Sequence, residues 1–155
     1  MAKDFDRYVG SKNGNYYYTF RLHNIWGIVL DIGEDHGDDF VEHNGISKFD
    51  KYRQEQTLFL DEVLDNAYNE FDGQGIDYRI GICHIPISIK NKDDYVADIK
   101  DDWLERLNQM KLTIMYNGHQ HELWFIDNNF EDGSILTNVE EFSGKAENNK
   151  EYVMT

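Results

Sequence analysis

The first regular pattern along the chain begins at Asn15. Tyr16, Tyr18, Phe20 and Leu22 alternate with Tyr17, Thr19 and Arg21, a period of two that predicts a strand. His23-Asn24 reads as a short turn. The nearly continuous apolar run Ile25 to Leu30 then predicts a buried strand, so residues 16–30 are expected to form a hairpin. Periodicity is lost from Asp31 to Asp50. That stretch is rich in Gly, Asp and His, the composition of a long surface loop. Loops of this length are uncommon and often functional.

A period near 3.6 follows. Tyr52, Gln56, Phe59, Val63, Ala67 and Phe71, widened by Leu60, Leu64 and Tyr68, predict an amphipathic helix. Asp50 is its expected N-cap and Asp72-Gly73 its stop. Tyr78 to His84 predicts a short strand ended by Pro86. Val96, Ile99, Trp103 and Leu107 give the apolar face of a second helix over about Asp94 to Met110. Asp93, Asp94 and Asp98 suit the positive end of its dipole. Lys111 to Tyr116 predicts another strand. Leu123 to Ile126 and Ile135 to Val139 read as two more, around a turn at Asp132-Gly133. Residues 1–14 and 141–155 read as loosely ordered ends. The order is strand, strand, helix, strand, helix, strands: an α+β or α/β domain over residues 1–155, with no internal repeat.

Composition narrows the function classes. Forty per cent hydrophobic and 14% aromatic residues exclude a disordered chain. Thirty acidic against 15 basic residues leave a formal charge of −15. Such a surface repels phosphate backbones and anionic lipid, so neither nucleic acid nor a membrane surface is an expected partner. No apolar run approaches the roughly 18–20 residues of a transmembrane helix. Met1 to Gly10 has no apolar signal-peptide core. The single cysteine, Cys83, excludes a disulfide framework within the chain and a cysteine-rich zinc module. Together these favour a reducing, cytoplasmic setting. The acid excess reads as solvent-facing charge: Asp61, Glu62, Asp65, Asp101, Asp102 and Glu105 fall on polar helix faces. Arg53 is expected at the surface or pinning a loop, and two of Tyr16, Tyr17 and Tyr18 in the core or on the sheet surface. Asp127 to Gly133 faintly resembles a calcium loop. Its glycine is one place late and Asn138 stands where a glutamate is needed, so it reads as a turn.

Two segments at predicted strand ends carry a chemical signal, the place where loops present functional groups on a rigid scaffold. In Ile82-Cys83-His84-Ile85-Pro86, strand alternation turns Cys83 into the core and His84 the other way. Taken alone, His84 reads as a satisfied core histidine. In Gly118-His119-Gln120-His121, residues two apart share a side when extended, so two imidazoles converge. Gly118 removes bulk where a backbone must approach a ligand. Neutral imidazole is a common ligand for zinc, iron and manganese-type centres.

Four segments in order resemble the C-terminal half of calcineurin-like metallophosphoesterases, including their purple-acid-phosphatase-like bacterial branch. They are YYYTFRLHNIWGIVLDIGED, GISKFDKYRQEQTLFLDEVL with its Glu55-Gln56 pair, RIGICHIPI and YNGHQHE. The resemblance covers about Tyr16 to Trp124. It implies a sandwich of two mixed sheets flanked by helices, an αββα architecture, and hydrolysis of a phosphate-ester substrate by two divalent ions (Mn, Fe or Zn). His84 and His119 match histidines that bind one ion, and His121 matches the one that binds the other. The family's Asp-x-His, Gly-Asp-x-x-x-Asp and Gly-Asn-His motifs have no counterpart in the right order. Gly37-Asp38-Asp39 and His43-Asn44-Gly45 are tempting but read as solvated loop residues. The resemblance therefore implies a partial domain, inactive alone. It would lean on a missing N-terminal half, or self-associate through edge strands and apolar faces. The alternative is a non-catalytic interaction module that keeps the scaffold, with a basic partner suited to its charge.

Overall fold

The computed structural model describes residues 14–33, 38, 40–41, 45–46, 48–73, 75–87, 94–119, 125–126 and 138–140. The alternating and apolar segments form β1 (Tyr18–Leu22) and β2 (Ile25–Leu30), an antiparallel hairpin with Phe20 opposite Gly27. A Cβ at residue 27 would fall 2.1 Å from the Phe20 ring. The missing side chain lets that ring lie flat across the sheet, an aromatic cover for a strand glycine. Helix α1 (Phe49–Asp65), strand β3 (Tyr78–Cys83), helix α2 (Asp94–Met110) and strand β4 (Ile114–Asn117) follow, then the short β5 (Phe125–Ile126) and β6 (Asn138–Glu140). The two late strands pair antiparallel with each other. Asp127 to Gly133 and residues 1–13 and 141–155, expected as a turn and as loose ends, lie outside the described residues.

The sheet order is β1-β2-β3-β4-β6-β5, with β2, β3, β4 and β6 parallel and both outer pairs antiparallel. This is a mixed α+β fold. Register assigns the faces. Trp26, Ile28 and Leu30 stand beside Arg79, Gly81 and Cys83, and Met115 beside Gly81. This face joins Leu60 and Val63 of α1 and Trp103, Leu107 and Met110 of α2 in one buried core. Gly81 is needed there, because a Cβ would come within 2.9 Å of Leu112 and 3.1 Å of Met115. The opposite parity carries Leu22, Tyr78 and Ile82, which are 58%, 53% and 40% exposed. Among the described residues, the helices pack one sheet face, and the other face carries these exposed side chains beside half-buried ones such as Val29, Ile80 and Ile114. The expected sandwich needs a second sheet, and the described residues form one.

Several expectations change at α1. Its N-cap is Lys48, without a side-chain cap bond, not Asp50. The cap comes from the loop: the Asp38 carboxylate accepts from the Phe49 N–H (2.6 Å) and the Asp50 N–H (3.3 Å). Asp38 is therefore a helix cap rather than a solvated loop residue. Asp38→Ala should cost about 1 kcal/mol, the usual worth of a cap, read as a lower urea midpoint at unchanged slope. Arg53 is 1% exposed, not at the surface. It shares the inward stripe with Gln56 and Leu60, and its guanidinium lies 3.7 Å from Asp50.

The helix also stops short of Phe71. After a turn at Asn66, residues Tyr68–Asp72 take a wider π-turn. The Asn69 amide donates to the Asn66 side chain at 2.6 Å, a local bond that competes with helix continuation. The wider turn brings the Glu70 carboxylate to the Trp26 indole N–H (2.9 Å) and the Phe71 ring against Trp26 (4.8 Å between centroids). Tyr68 consequently leaves the stripe and is 71% exposed. Asp61 is not simply solvated: Arg106 of α2 grips both its oxygens, at 2.7 and 3.0 Å. Those bonds hold the Asp61 carboxyl below its ordinary range. The stability they add is present at neutral pH and fades as acid protonates Asp61. It is small, because the pair is partly exposed.

Candidate metal centre at the carboxyl end of the sheet

Three adjacent parallel strands end together. Leu30 pairs with Cys83, and Ile82 with Tyr116. The next residues, Asp31, His84 and Gly118-His119, therefore share one edge of the sheet. That edge, outside the carboxyl ends of parallel strands, is where open α/β sheets bind ligands.

His84 leaves the ladder one residue after β3 and is exposed rather than a core histidine, while His119 is half-buried. Their ring centroids are 5.4 Å apart, edge to face. Two imidazoles bound at ~2.0–2.1 Å to one tetrahedral ion place their ring centres about 5 Å apart. The observed spacing is near that figure and is also the ordinary separation of an edge-to-face ring pair. A Cβ at Gly118 would press on His84 at 3.2 Å from Nδ1. The clearance expected at Gly118 thus serves the neighbouring histidine ring. His119 holds a left-handed backbone, φ 77°, a conformation that costs a non-glycine residue about 1–2 kcal/mol and that often marks a functional site. The Asn117 side chain donates to the carbonyls of Cys83 (2.8 Å) and Ile85 (3.3 Å), and the Gly118 N–H donates to that of His84 (2.8 Å).

His121, the third expected ligand, lies outside the described residues, as do Gly37, Asp39, His43 and Asn44. Among the described residues no group of three His, Cys, Asp or Glu side chains is placed to hold a metal ion. What is present is a pair of imidazoles, enough for part of one coordination sphere. Bridging two ions takes a carboxylate as well. Asp31 is the carboxylate at the same edge, and it already accepts from the Tyr52 hydroxyl (3.0 Å) and the Gly33 N–H (3.0 Å). Burial, and after it the Asp31 charge, pushes the Tyr52 hydroxyl well up, so it stays a donor. Gln56 ties the Asp31 backbone to α1: it accepts from the N–H at 2.9 Å and donates to the carbonyl. Sequence reading passed over Asp31 and Asn117. The available signal was their position immediately beyond or at the end of an apolar strand.

Cys83 points away from this edge and is 1% exposed. Burial pushes its thiol up to about 12. At pH 8 about one thiol in ten thousand is then thiolate, the reactive form. Iodoacetamide at pH 8 should leave the native chain unlabelled over a time that fully labels the chain in urea, read by mass spectrometry.

The chain matches no protein-family model and no curated protein.

Proposed function

We propose that this chain is the histidine-bearing half of a two-metal phosphoesterase centre, in which His84 and His119 share one divalent ion and His121 contributes to the other. The observation that carries the reading is the pair at the sheet edge. Two histidines 35 positions apart leave adjacent parallel strands and meet at a spacing suited to one ion. Glycine clearance and a held backbone beneath His84 add to it. When bound, the ions would polarise a phosphoryl oxygen and acidify a water for in-line attack. The chain's own part is to orient imidazole nitrogens toward them. The bridging carboxylate and the acid that protonates the leaving group would come from a partner half, so this chain alone is inactive. The open sheet face, with Leu22, Tyr78 and Ile82 outward, is where the second sheet of an αββα sandwich would rest. Without it the isolated chain self-associates.

Zinc titration of the chain, followed by equilibrium dialysis, tests the reading. One weakly held ion per chain is expected, with affinity falling at least about tenfold in His84→Ala and in His119→Ala. Aryl phosphate with added manganese, iron or zinc should be hydrolysed hardly at all. Zinc uptake indifferent to both substitutions, or turnover that survives them, would overturn the reading.

A further inference from the structure

We propose that Asn117 is a positioning residue for His84, holding that histidine at its working distance from His119; the inference rests on the reading of these two histidines as metal ligands. The β3–β4 ladder ends at Ile82 and Tyr116, and His84 lies past it on a bend of the chain. A residue beyond the last ladder bond has no sheet partner to fix it. Here the end of β4 supplies the fixing instead. The Asn117 side-chain amide donates to the carbonyls on either side of His84, those of Cys83 and Ile85. The backbone N–H of Gly118 takes the carbonyl of His84 itself at 2.8 Å. Three consecutive carbonyls are thus bound by two consecutive residues, and the third in that run, His119, is the other imidazole. Clamp, clearance and second ligand are one tripeptide, so the geometry of the pair is set within residues 117–119.

The placement of Asn117 separates this role from general stabilisation. It is 4% exposed, on the core side of the sheet in the same parity as Met115. A buried amide is costly wherever part of it lacks a partner. Its Oδ1 has no hydrogen-bond partner among the described residues, so only the donor end is satisfied, and that end is spent wholly on the backbone around His84. An apolar residue would fill the position without the orphaned oxygen. What it would not do is hold residues 83–85.

The test uses the full chain with Asn117→Ala, and with Asn117→Leu, which keeps the volume and removes the donor. Met115→Ala serves as a destabilised control that touches none of the three carbonyls. The first readout is the His84 ring-proton resonances by NMR, which need no metal. In the parent chain the edge-to-face His119 ring should displace them, as His119→Ala reveals. In both Asn117 variants they should move to their His119→Ala positions while far-UV circular dichroism shows a folded chain. In Met115→Ala they should stay at their parent positions. The second readout is zinc alone, bound about 10–100-fold more weakly by the Asn117 variants and nearly unchanged by Met115→Ala. Parent-like His84 resonances in a folded Asn117 variant overturn the proposal, as does a Met115→Ala chain that loses them equally. A parent chain that takes up no zinc sinks the metal reading, and the NMR comparison then decides the positioning role by itself.

Discussion

Trp103→Ala should remove about 3–5 kcal/mol of stability, the cost of deleting a fully buried tryptophan. Trp103 is wholly buried in the core between the helices and the sheet, and its indole N–H donates to Thr57 of α1 at 2.9 Å. Deletion leaves a cavity in the core that also holds Leu60 and Leu107, and it removes the donor to the Thr57 hydroxyl, which keeps only its own bond to the Arg53 carbonyl at 3.4 Å. Against a total of about 5–15 kcal/mol for a domain, the loss is about a fifth or more. Urea unfolding should show it directly, and the melting temperature should fall by on the order of 10 °C. Leu58→Ala provides the contrast: Leu58 is on α1 but 64% exposed, so its removal should stay within about 0.5 kcal/mol. A Trp103→Ala loss below about 1 kcal/mol would mean the helices do not pack on the sheet as described.

Gln56→Met should cost about 2–4 kcal/mol although it inserts a good helix former of similar size. Gln56 is fully buried, and its amide exchanges bonds with both the N–H and the carbonyl of Asp31. It acts as a one-residue strand partner where β2 runs out. Methionine can make neither bond, and leaving each partly buried backbone group unsatisfied costs about 1–3 kcal/mol. Hydrogen exchange at Asp31 and Gly33 should accelerate with the loss, because the Asp31 carboxylate that binds the Gly33 N–H is anchored through the same contact. Unchanged exchange at both amides would show that the clamp does not hold this loop.

Both effects arise from residues whose sequence reading was right in position and incomplete in role. Periodicity placed Gln56 and Trp103 on inward helix faces, and that is where they lie. Periodicity says nothing about what an inward amide bonds to. The same limit explains Arg53, a charged residue on an inward stripe that composition alone assigns to the surface. It also explains Asp38, whose partner helix begins 11 residues later. Tyr68 shows the converse. Its spacing fits the apolar face, but the π-turn after Asn66 rotates it out.

The two strand types, both helices and their order were legible in the sequence, because alternation and 3.6-residue spacing are local properties of a chain that must bury one face. So was the placement of the histidines at strand ends, with a glycine beside His119. The resemblance implied that His84 and His119 come together; only the tertiary structure gave the distance between their rings, showed that a side chain at Gly118 would press on His84, and showed that Asn117 bonds the backbone on either side of His84. Those facts depend on register between β3 and β4, whose contacting residues stand 34 positions apart. Register is set by core packing across the whole sheet, with Gly81 admitting Leu112 and Met115, and no local pattern encodes it. The open face is the clearest case. Its apolar residues looked like ordinary strand positions in the sequence, and among the described residues both helices pack the opposite face, with Leu22, Tyr78 and Ile82 left exposed.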